Sequence, residues 1–178
     1  MIVLADADLD RAVDAVLHGA FGQAGQRCSA TSRAVVDRRV RDAFLARLVK
    51  RVAALRVGPG DDPDSEVCPV VDPVRMRAAL DTVAGARRDG GTVLCGGGPA
   101  ARPGLPEGCY VQPTVIRDVP WDSELAQEEV FGPVLAVVDA DGFDDAMRIA
   151  NCRERGPTGP APLPPARTTA SSRRPPRR

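Results

Sequence analysis

The sequence predicts a three-layer α/β domain with a mainly parallel sheet over residues 1–152, followed by a disordered C-terminal tail over 153–178. Three observations carry this. Stretches with apolar residues at three- and four-residue steps alternate with short β-branched runs, the pattern of helices packed on a parallel sheet. In a chain of 178 residues, 43% are apolar and 27% charged, enough to bury one core. The composition then changes abruptly near residue 153, where Pro and Arg replace the large aliphatics.

Leu9, Val13, Val16, Leu17, Ala20 and Phe21 recur at helical spacing, so a helix is expected over about 8–21, with Asp6 and Asp8 as candidate caps. Gly19, Gly22 and Gly25 are expected to break it and to let the backbone turn tightly. Arg33–Val36 is short and β-branched, hence a strand. Val40, Phe44, Leu48, Val52 and Leu55 share one face of a helix over about 40–56. The Gly58–Pro63 segment ends it in a loop. A third helix is expected over about 73–89, with Met76, Leu80 and Val83 turned inward. Thr92–Cys95, Tyr110–Ile116 and Val134–Val138 read as strands, and Asp144–Asn151 as a last helix.

The tail holds seven of the 24 basic residues and one of the 24 acidic ones, so the body carries −6 and the tail +6. A net-negative body argues against a nucleic-acid-binding core. A tail with Leu163 as its only large aliphatic cannot offset its ordering entropy, which predicts disorder. The competing reading is a basic arm that grips RNA or an acidic surface, and the lack of aromatics for stacking weighs against it. No apolar run is long enough to span a bilayer and no secretory leader pattern is visible, so a cytoplasmic location without a membrane partner is expected. Five cysteines with wide spacing, one histidine and no Cys-x-x-Cys pair predict neither a disulfide framework nor a metal site.

Two segments could carry chemistry. Cys28 follows a glycine-rich turn, Gly22–Gly25, with Gln26 and Arg27 between. A cysteine so placed can present its sulfur to a carbonyl and its backbone N–H to the oxyanion that forms. Read alone, such a cysteine is more often a small buried hydrophobe. The second segment is Glu128-Glu129-Val130-Phe131-Gly132-Pro133. A carboxylate here can accept hydrogen bonds from vicinal ribose hydroxyls, and a Phe can pack on a planar ring. Read alone, it is an acidic loop with Phe131 in the core.

Taken together, these segments resemble the aldehyde dehydrogenase superfamily. Gly25-Gln26-Arg27-Cys28 resembles its active-site cysteine motif, and Ala126–Val134 its second signature. Tyr110-Val111-Gln112-Pro113-Thr114 looks like its Tyr-x-x-Pro-Thr strand, and Val3–Asp10 resembles the stretch before its cysteine helix. The resemblance covers residues 1 to about 152 and marks them as part of that family's catalytic domain. It implies NAD or NADP as cofactor and a small-molecule aldehyde as substrate. It also implies roles: Cys28 as nucleophile and half of the oxyanion hole, Glu129 on the nicotinamide-side ribose, Phe131 near the same end of the cofactor. Ser29–Arg33 is similar to members that act on carboxylate-bearing semialdehydes.

The family's Leu-Glu-Leu-Gly-Gly-Lys motif, which supplies a general-base glutamate, and its dinucleotide-binding half would precede Met1. Met1-Ile2-Val3 looks like the continuation of that motif, which suggests an internal methionine used as a start. At the other end Asn151–Gly156 partly resembles an Asn-x-x-x-Tyr-Gly-Leu turn, and beyond Gly159 the sequence reads like a GC-rich gene in a shifted frame. The expectation is a truncated enzyme, inactive on its own, with its oligomer-forming parts incomplete. A non-enzymatic remnant and an interaction module built on the basic tail are the alternatives.

Overall fold

A computed structural model describes residues 1–152. The tail predicted over 153–178 lies outside the described residues. One five-stranded sheet organises the fold: β1 (Ile2–Val3), β2 (Arg33–Asp37), β3 (Thr92–Cys95), β4 (Thr114–Arg117) and β5 (Val134–Ala140). The strand order is β1-β2-β5-β4-β3, parallel throughout except for the antiparallel edge strand β3.

The central strand β5 is an unbroken apolar run from Val134 to Val138, all buried, as a strand covered on both faces requires. Register identifies the two faces. Arg33, Ala136, Ile116 and Val93 stand side by side across four strands. On that face Arg33 donates to the carbonyls of Ala126 (2.8 Å) and Ala150 (3.1 Å), and Ile116 lies against Gly91 at the end of the third helix. The helices α3 (Pro73–Arg88), α4 (Glu124–Gln127) and α5 (Gly142–Asn151) form this layer. On the opposite face Asp139 receives Arg41 at 2.8 Å from α2 (Arg38–Ala53), and α1 (Leu9–Phe21) packs beside α2. The predicted three layers are present.

Asp8, Asp37 and Asp72 each cap a helix by accepting from backbone N–H groups of its first turn. Asp37 is buried and also takes two bonds from the Arg39 guanidinium, at 2.9 and 2.6 Å. Those bonds outweigh the opposing effect of burial and hold its carboxyl below the usual carboxylate range. The folded-state value is depressed, so this contribution to stability is present above about pH 4 and is lost as pH falls through the depressed value. Asp37→Ala should cost about 1–2 kcal/mol at neutral pH. Urea denaturation of the variant and wild type should converge at low pH.

Several elements differ from the sequence reading. Gly19 does not break α1 but sits inside it, because Thr31 packs where a side chain would stand: a Cβ at Gly19 would meet Thr31 Oγ1 at 2.5 Å. Helix α2 begins at Arg38 and ends at Ala53, so Leu55 lies beyond it, and Leu45 joins Phe44, Leu48 and Val52 in the core. Helix α3 buries Ala79, Val83 and Ala86, while Met76 and Leu80 are half-buried at its margin. The strand expected over Tyr110–Ile116 begins only at Thr114. Pro113 has no N–H to offer a ladder, and Tyr110–Gln112 instead bonds the Gly98–Ala100 segment. Among the described residues no helix is long and apolar enough to cross a membrane.

Candidate active site

Helix α1 delivers the chain into a left-handed turn. Gln23, Ala24 and Gly25 follow one another at φ 52°, 54° and 69°. For a residue with a Cβ this region costs about 1–2 kcal/mol, so two strained residues in succession need external support. Ala24 is fully buried, and the Gln26 N–H donates to the Gln23 carbonyl at 3.1 Å. Gln23 Oε1 accepts from Arg27 Nε at 2.6 Å. Ala30 N–H then closes a tight turn on the Arg27 carbonyl at 3.0 Å, and Cys28 and Ser29 form its exposed tip. Of the five cysteines, all unpaired thiols, Cys28 is exposed and the other four are half-buried. Burial pushes the Cys95 thiol up, partly offset by a backbone hydrogen bond from Val115.

The second motif is also a strained turn. After α4 the chain is extended at Glu128, and Glu128 and Glu129 are exposed without an ion pair among the described residues. Val130 is buried, then Phe131 adopts φ 51°, and the buried Gly132-Pro133 leads into β5. Phe131 is half-exposed rather than in the core, and the Arg75 guanidinium of α3 lies 5.7 Å from its ring centroid.

The two turns meet through their glycines. A Cβ on Gly25 would stand 2.3 Å from the Gly132 carbonyl oxygen and 2.9 Å from that of Ala20, so only a bare backbone permits the approach. A third segment closes the arrangement. The Val71 N–H donates to Gln26 Oε1 at 3.1 Å, and Arg75, four residues on, covers Phe131. The loop that leads to Cys28 and the turn that follows Glu129 are thereby held against each other. Val71 and Val74, 74% and 75% exposed, belong to the same segment. Sequence reasoning missed Arg75 and the Gln26–Val71 bond, since nothing in the Asp72-Pro73 helix start points to a ring 58 residues later.

The model of the aldehyde dehydrogenase family matches residues 1–160. The chain belongs to the aldehyde dehydrogenase family. A betaine aldehyde dehydrogenase of Cereibacter sphaeroides is 42% identical over 156 residues, which cover 88% of this chain and 32% of that enzyme. An α-ketoglutarate semialdehyde dehydrogenase of Haloferax volcanii is 41% identical over 150 residues, covering 84% and 31%. Among solved structures, a Staphylococcus aureus betaine aldehyde dehydrogenase in complex with NAD+ superposes with a TM-score of 0.82 at 36% identity, covering 84% of this chain and 30% of that one. A 3,6-anhydro-L-galactose dehydrogenase in complex with NADP gives 0.82 at 37%, covering 85% and 32%. This chain thus spans about a third of the length of the curated relatives it matches.

Proposed function

We propose that this chain carries the nucleophile-bearing part of an NAD- or NADP-dependent enzyme that oxidises a small-molecule aldehyde to a carboxylic acid, with Cys28 as the nucleophile. The observation that supports it best is the backbone approach of Gly25 to Gly132, which ties the cysteine loop to the turn of Glu129 and Phe131. In this reading the exposed Cys28 sulfur adds to the aldehyde carbon, forming a hemithioacetal. The Cys28 backbone N–H donates to the developing oxyanion, a type of contact worth about 10²–10³ in rate. The residues present fit the nicotinamide end of the cofactor. Glu129 is an exposed carboxylate with no competing cation among the described residues, able to accept from two ribose hydroxyls, and Phe131 offers a half-exposed ring face. When bound, the nicotinamide supplies the acceptor for the hydride that leaves the substrate carbon. Cys28 then holds the acyl group as a thioester until water releases the acid; the water and its base are assigned to no residue of this chain. A cytoplasmic location, without membrane or nucleic-acid partners, belongs to the same reading.

A segment exchange tests the proposal. Residues 1–152 replace the matching third of an active betaine aldehyde dehydrogenase, and NADH formation is followed with a panel of aldehydes. Cys28-dependent NADH formation supports the reading. A folded chimera whose NADH formation survives loss of Cys28 contradicts it.

A further inference from the structure

We infer that Arg33, seconded by Gln127, is a positioning residue that sets where the Glu128–Phe131 turn stands, and that it governs binding of the cofactor rather than attack by the sulfur. The inference rests on the reading above, in which Glu129 and Phe131 take the nicotinamide end. Arg33 is half-buried and opens β2, five residues after Cys28. Its guanidinium commits both terminal nitrogens to backbone: Nη1 donates to the Ala126 carbonyl at 2.8 Å and Nη2 to the Ala150 carbonyl at 3.1 Å. Both carbonyls lie in the last turn of a helix, α4 and α5, where the oxygens have no partner inside the helix. A charged donor makes such bonds stronger than a neutral one would.

Helix α4 needs that support. It is a single turn, Glu124–Gln127, its cap Ser123 makes no side-chain capping bond, and one turn does not hold itself in water. Gln127, which is buried, adds a second tie: its amide donates to the Trp121 carbonyl and, at 3.1 Å, to the Cys152 carbonyl. The chain then leaves α4 extended at Glu128 and passes Phe131 before Gly132 meets Gly25. The stretch 128–131 therefore runs between two ties, and both lead to segments that flank Cys28. Gly25, three residues before the cysteine, holds the Gly132 end, and Arg33, five residues after it, holds the Ala126 end. The Gly25 contact fixes where the stretch finishes. The Arg33 bond fixes the direction from which the chain enters it, three residues ahead of the Glu129 carboxylate. Arg33 thus acts on the cofactor through α4. A lysine is no substitute, because its ammonium lacks the planar fork that spans two carbonyls.

Hydrogen exchange on the 178-residue chain and kinetics of the segment-exchange enzyme test this together. In Arg33→Lys, peptides covering 126–133 should exchange about three- to tenfold faster, while those covering α1 hold. In the segment-exchange enzyme the same change should raise KM for NAD+ about five- to tenfold and leave kcat within about twofold. Acylation of Cys28 by p-nitrophenyl acetate, which needs no cofactor, should also stay within about twofold. A loss of folded protein alone would lower kcat and acylation together and leave KM where it was. Gln127→Met cuts the second tie to the same turn and should give the same split, so it carries the test where an Arg33 variant does not fold. Glu129→Gln reports on the parent reading by itself. A raised KM in Glu129→Gln beside an unchanged KM in Arg33→Lys or Gln127→Met overturns the inference, as does unchanged exchange over 126–133, or acylation that falls in step with kcat. Failure of the parent reading looks different: KM does not move even in Glu129→Gln, and this inference then falls with it.

Discussion

Cys28→Ala should lower NADH formation by the segment-exchange enzyme by about 10³-fold or more, as for other enzymes stripped of their nucleophile. The substitution removes an exposed thiol at the tip of a tight turn, so stability should be nearly unchanged. KM for the cofactor should also hold, because Glu129 and Phe131 sit on a different turn. Steady-state kinetics beside a urea melt separate the effects. A large loss of stability, or activity within tenfold of the parent, would speak against a role confined to bond formation.

Gly25→Ala should be the most damaging single-methyl change in the site. The new Cβ meets the Gly132 carbonyl oxygen at 2.3 Å and the Ala20 carbonyl oxygen at 2.9 Å, and it must hold φ 69°. Backbone cannot yield as a flexible side chain does, so the expected cost is about 2–4 kcal/mol, with the cysteine loop displaced from the Phe131 turn. Gly90→Ala is the matched control. It also has positive φ, 93°, but nothing lies within 4 Å of the added atom. It should cost about 1–2 kcal/mol from backbone strain alone. Chemical denaturation of both variants measures the difference, and equal costs would mean that the Gly25–Gly132 contact is not tight.

The parts of the fold visible in the sequence are those with repeating local signals. Helix α1 shows its apolar spacing and its Asp8 cap, and β5 shows five consecutive apolar residues. Strand β1, at two residues, and α4, at one turn, are too short to carry a period. Gly19 misled for a tertiary reason: the space it leaves is filled by Thr31, twelve residues on. Within the site, Cys28, Glu129 and Phe131 stand in segments whose residue types suggest chemistry, and the family motifs mark them. Their juxtaposition was not legible, because it depends on Gly25 meeting Gly132 across more than a hundred residues of chain. Nor was the strain at Gln23, Ala24 and Phe131, since side chains other than glycine give no sequence signal for left-handed backbone.

Competitive acylation of the five cysteines by p-nitrophenyl acetate tests the central claim most directly, because it asks which thiol attacks a carbonyl carbon. The folded chain is treated briefly, quenched and mapped by mass spectrometry. Cys28 should carry the first acetyl thioester, ahead of the half-buried Cys68, Cys95, Cys109 and Cys152, and Cys95 should lag because burial holds its thiol protonated. Unfolding in urea should erase the order. Preferential acylation of Cys95 or Cys109 in the folded chain would contradict the assignment of Cys28 as the nucleophile.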